Sequence, residues 1–149
     1  MRAPRVEQAL EGAGRALVER DPELADKVRW EDAEVNELQR QINSEIAGVI
    51  ATQAPVARDI RELLALYHAA AELQRMGDYA VNISKLAQQL ASEPEIPILR
   101  QIPQMEQLCR EQLRAAMRAL VDISESEARG LAASWIFGWP RVAPTSRTT

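Results

Sequence analysis

An all-α fold, an up-down-up three-helix bundle followed by the first helix of an incomplete second repeat, is what three observations in the sequence predict. Apolar residues recur at three-and-four spacing through four long segments. Proline and acidic capping residues fall at the breaks between those segments. The 149 residues are 46% hydrophobic with a single phenylalanine, an aliphatic composition suited to helix bundles.

The first helix is carried by Val6, Leu10, Ala13, Leu17 and Val18, which share one face. It stops near "ERDPEL", where Asp21 reads as an N-cap and Pro22 as a first-turn proline, a corner with almost no loop. Helix two then runs from about Pro22 to Thr52 on a seam of Leu24, Val28, Glu31, Val35, Leu38, Ile42, Glu45 and Val49. Pro55 opens helix three after "TQAP", and the pattern holds until "ASEPEIP" at 91–97. Its apolar arc is Leu66, Ala69, Ala70, Leu73, Met76, Ala80, Val81 and Ala87.

A fourth helix reads through Met105, Leu108, Cys109, Leu113, Ala116, Met117 and Leu120. A shift of 103 residues lays it on the first: "RALV" at 15–18 meets "RALV" at 118–121, and Ser124 takes the place of Asp21. The copy fails at Trp135. The organisation expected is therefore a three-helix repeat over 1–92, a linker over 93–99, a partial second repeat (first helix and corner) over 100–134, and an irregular tail over 135–149. An unfinished repeat leaves an apolar face that needs cover, so a homo-oligomer, in the simplest case a homodimer, is expected.

Eighteen basic residues against 22 acidic ones give a net charge of -4, which leaves no broad cationic surface for nucleic acid. No apolar run approaches the roughly 20 residues that span a bilayer, and "MRAPRVEQAL" lacks the apolar core of a signal peptide. A lone Cys109 suits a reducing compartment, so the expected location is the cytoplasm. His68 is read as a boundary residue with its ring against aliphatics. No base is spaced to activate a serine and no glycine-rich phosphate cradle occurs, so an enzyme is not expected.

The stretch "ELQRMGDYAVNI", 72–83, sets Gly77, Asp78 and Asn82 inside a helix that each of them weakens. Gly77 lies within the apolar arc, where a missing side chain lets a neighbouring helix approach. Asp78 and Asn82 stand one turn apart on the flank, and Asp32 and Asn36 repeat that arrangement on helix two. Two helices each presenting a carboxylate and an amide oxygen could hold a hard or borderline cation, although solvated flanks of this kind are common.

Four segments in order carry a family resemblance: "ALVERDPELADKV" at 16–28, "EDAEVNELQRQI" at 31–42, "QAPVARDIR" at 53–61 and "ELQRMGDYAVNI". The chain resembles the PhoU family, phosphate-uptake regulators built from two tandem three-helix repeats. The resemblance implies a cytoplasmic accessory protein that negatively regulates phosphate uptake and phosphate-starvation signalling. It would do so by contacting the phosphate ABC transporter ATPase and a sensor histidine kinase, reaching the membrane only through those partners. Some members bind iron or zinc through acidic motifs; no strict motif of that form occurs in this chain, and the nearest candidates are Asp32 with Asn36 and Asp78 with Asn82, then Asp59 and Glu72 in the matched segments, with Arg75 pairing Glu72. Family members have a longer first helix and a complete second repeat, so this chain reads as truncated, with a frame disruption near Trp135 as one origin. Two other readings stand beside the adaptor: a carboxylate metal-binding bundle without regulatory role, and a nonfunctional truncated paralogue.

Overall fold

Alanine and glycine, more than large aliphatics, set how the helices meet. The computed structural model describes residues 3–94, 97–122, 126 and 128–131, which form α1 (Ala3–Glu19), α2 (Pro22–Gln53), α3 (Ala57–Leu90), a 3₁₀ turn over Pro97–Gln101 and α4 (Ile102–Val121). The first three helices pack mutually and run alternately up, down and up, as their spacing predicts. The chain divides into two compact units at Leu113/Arg114, inside α4, so the first turns of α4 belong with the three-helix unit. The corner expected at Ser124 and the tail from Trp135 lie outside the described residues.

The α1–α2 corner forms for the reason its sequence suggests. Asp21 Oδ1 accepts from the backbone N–H groups of Glu23 and Leu24 at 2.9 and 3.0 Å, and Pro22 occupies the first helical position. Arg20 sits in the left-handed region at φ 57, where it ends α1, and its guanidinium donates to the Glu93 carbonyl beyond α3. The α2–α3 connection differs from expectation at Pro55: α3 begins at Ala57, because Asp59 in its first turn accepts from the Val56 N–H at 3.3 Å. Ala54 closes α2 at φ 43.

Among the described residues, two clusters of buried residues stand at the centre of the core. Ala9, Ala13, Val28 and Ala80 form one, and Ala16, Leu17, Ala25 and Ala87 the other, covered at its end by Leu99 and Ile102. So many alanines bring the helix axes near enough that a Cβ on Gly12 would stand 2.7 Å from Val28 Cγ2. The buried stripe of α3 is Ala70, Leu73, Gly77, Ala80, Ser84 and Ala87.

Three expected core positions come out elsewhere. Glu31 and Glu45 leave the α2 seam for solvent, with Ala25, Val28 and Val35 as the buried residues of that helix. Leu66 stays 45% exposed, one turn before the buried Ala70. Val6, near the start of α1, packs beside Leu38, Ile42, Ala70 and Leu73, and past this level α2 and α3 continue as a pair among the described residues.

Candidate functional site on the α2–α3 seam

The glycine in "RMGD" is where the candidate seam begins. Gly77 is buried against α2, and a Cβ there would lie 3.2 Å from Asp32 Oδ1 and 3.4 Å from Val35 Cγ1. The space a side chain would occupy is thus taken by a carboxylate from the neighbouring helix. Asn36 Nδ2 donates to Asp32 Oδ2 at 2.8 Å, and Gln74 Nε2 donates to Asn36 Oδ1 at 2.9 Å. A relay of three polar side chains crosses from α3 to α2 on this flank.

Asp32 Oδ1, facing Gly77, has no solvent and no hydrogen-bond partner. Burial pushes the Asp32 carboxyl above its ordinary value, the charge of Asp78 pushes it the same way, and the hydrogen bond from Asn36 opposes both. The carboxylate is held in a place that disfavours its charge.

The six candidate donors do not assemble as one group. Asp32, Asn36 and Asp78 meet on the seam, with Asn82 exposed one turn beyond Asp78. Asp59 is spent on the start of α3, 19 residues or roughly 28 Å along the helix from Asp78. Glu72 is exposed and pairs with Arg75 at 4.0 Å, the i,i+3 pair the sequence predicts. Both ends of the Asn36 amide are already engaged. Among the described residues no three of His, Cys, Asp and Glu are placed to hold a metal ion.

Gln74, one turn before Asp78, is the member of the site that sequence reading passed over. Its i,i+4 relation to Asp78 was the available signal. A second polar group ties α4 to α1: Arg110 donates to Glu11 Oε2 at 2.7 Å and also pairs with Glu106. Burial raises the Glu106 carboxyl, Arg110 lowers it, and Glu11 raises it further. Burial first and Glu106 second hold the Cys109 thiol up, which suits an inert filler. His68 is exposed and meets Tyr67 edge-on, ring centroids 5.8 Å apart, so it does not lie against aliphatics as expected.

A three-helix unit packed on alanine and glycine, with a polar relay along one flank, defines a helical-bundle protein. Residues 3–87 match the PhoU domain, and the chain belongs to the PhoU family. It is similar to the phosphate-specific transport system accessory protein PhoU homolog of Pseudomonas putida, at 33% identity covering 83% of this chain and 50% of the relative. The homolog of the same name from Synechocystis is 34% identical, over 67% of this chain and 45% of the relative. The crystal structure of PhoU from Pseudomonas aeruginosa superposes with a TM-score of 0.82 at 26% identity, covering 89% of this chain and 64% of that one. The chain spans about half the length of the curated relatives it matches.

Proposed function

We propose that this chain acts as an accessory protein of a phosphate transport system. In this reading it negatively regulates phosphate uptake and phosphate-starvation signalling through contacts with the transporter ATPase and a sensor histidine kinase in the cytoplasm. The observation that carries the proposal is the unbroken match of residues 3–87 to the PhoU domain, which takes in the whole seam from Asp32 to Asn82. The relatives are named for phosphate-specific transport. No described helix is long and apolar enough to cross a membrane, which agrees with a role reached through partners. Regulation by contact calls for a presented surface and no reaction. In a bacterium deleted for its own PhoU, the chain should restore repression of a phosphate-starvation reporter in phosphate-rich medium. It should also retain the transporter ATPase and the kinase in a pull-down from that strain. A reporter that stays fully induced at normal expression of the chain would reject the proposal.

One observation favours a second reading, metal binding at the seam: Asp32 Oδ1 is enclosed without a partner while Asp78 sets a second carboxylate nearby. These two would supply the hard oxygen donors for iron or zinc. Elemental analysis of protein purified without chelators should then find metal that Asp32→Ala with Asp78→Ala removes. Metal-free protein with unchanged melting would end this reading.

A further inference from the structure

α3 carries two apolar seams, and the fold uses one. Leu73, Gly77, Ala80 and Ser84 form the buried seam at spacings of four, three and four. Ile60, Leu64, Tyr67 and Ala71 form another at the same alternation, four, three and four, and at ~100° per residue they lie within ~60° of one another. This second seam is open: Ile60 is 41% exposed, Leu64 49% and Tyr67 44%. Along one edge stand Arg61, His68 and Arg75, each seven residues from the next and each exposed. Arg61 has no ion-pair partner among the described residues, Arg75 holds Glu72 only at 4.0 Å, and His68 is set edge-on to Tyr67 of the seam. An ordinary solvated face would not interleave Ile, Leu and Tyr at heptad spacing beside a row of basic side chains.

We propose that this seam docks an amphipathic helix of another protein, one that carries acidic residues beside its apolar stripe. The alternation of four and three is what a partner helix needs to interlock its side chains with those of α3. Charge selects the kind of partner. In a two-fold antiparallel pairing of α3 with a second copy of itself, like edges meet, which would set Arg61, His68 and Arg75 against their own counterparts. A helix with Glu or Asp on the facing edge meets that row with opposite charge. The inference stands on the surface of α3 and does not depend on the phosphate reading.

Two synthetic helical peptides test it, sharing one leucine seam and bearing either Glu or Lys on the edges. Titrated by fluorescence anisotropy against the full chain at low salt, the Glu peptide should bind at least tenfold more tightly than the Lys peptide. Leu64→Ser should weaken the Glu peptide at least tenfold, and Arg61→Glu should reverse the preference. Both positions are exposed, so melting temperatures should not move. Equal binding of the two peptides, no binding of either, or indifference to Leu64→Ser would overturn the proposal. So would sedimentation showing a dimer of the chain that Leu64→Ser dissociates, since the seam would then belong to a second copy.

Discussion

The two ends of the α2–α3 pair are built from similar apolar material and have opposite fates. Toward the α1–α2 corner, Val28, Ala80 and Ala87 are buried to 2% or less beneath α1. Toward the α2–α3 turn, Ile50, Ile60 and Leu64 are 41–49% exposed. On α3 what separates them is azimuth, because Ile60 and Leu64 lie on the open seam with Tyr67, which stays 44% exposed although Ala70, within one turn of it, is 3% exposed beside Val6. Apolar periodicity records which faces of a helix are suited to contact; of the two on α3, only the one turned to the neighbouring helices is core.

The sharpest break of this contrast is a matched pair of truncations. Leu17→Ala should cost about 2–4 kcal/mol, since Leu17 is 6% exposed within an alanine cluster, while Leu64→Ala should stay within about 0.5 kcal/mol. Urea unfolding of both variants decides it, and equal losses would show that the far end is as well covered as the near one. Next in size is Gly12→Ala, whose new methyl would meet Val28 Cγ2 at 2.7 Å. The loss expected is about 1–3 kcal/mol despite the better helix propensity of alanine.

Asp32 offers a smaller and pH-dependent effect at the boundary between the two ends. Its folded-state value is raised, so its favourable contribution is present below the ordinary carboxylate range and disappears as pH rises through the raised value. Asp32→Asn should therefore be more stable than the parent at neutral pH, with the advantage shrinking below about pH 4. A thermal-melting series across that range checks the sign; an advantage that grew in acid would contradict it. Gly77→Ala should be destabilising beside Asp32 and less so, or stabilising, in an Asp32→Ala background, because the methyl and Oδ1 compete for one space. The smallest change is at the far tip, where Ala54→Gly relieves a left-handed φ of 43 and should add up to about 1 kcal/mol.

Much of this was legible from residue spacing. Asp21 and Pro22 marked their corner, and the arc around "RMGD" located Gly77 at a close helix approach. Two flanks with the same i,i+4 pattern pointed to Asp32 and Asp78 as a pair to compare, and the structure sets them near each other. Spacing within one helix fixes azimuth and says nothing of level between helices, which is why Asp59 and Glu72 joined the candidate set and the structure keeps them apart. Leu66 was misplaced for a related cause: its own helix marks it as inward, but burial depends on what stands opposite at its level, and it is 45% exposed. Ser84 gave no signal, for a hydroxyl among alanines at the right period reads as one more small residue, and it is fully buried without a partner.

The contact of Gly12 with Val28 has a mechanical consequence. Glycine is notched into α1 where valine protrudes from α2, so sliding α1 along its neighbours would drive a side chain against that protrusion and jam. The glycine–valine pair therefore helps fix the register of α1 against α2.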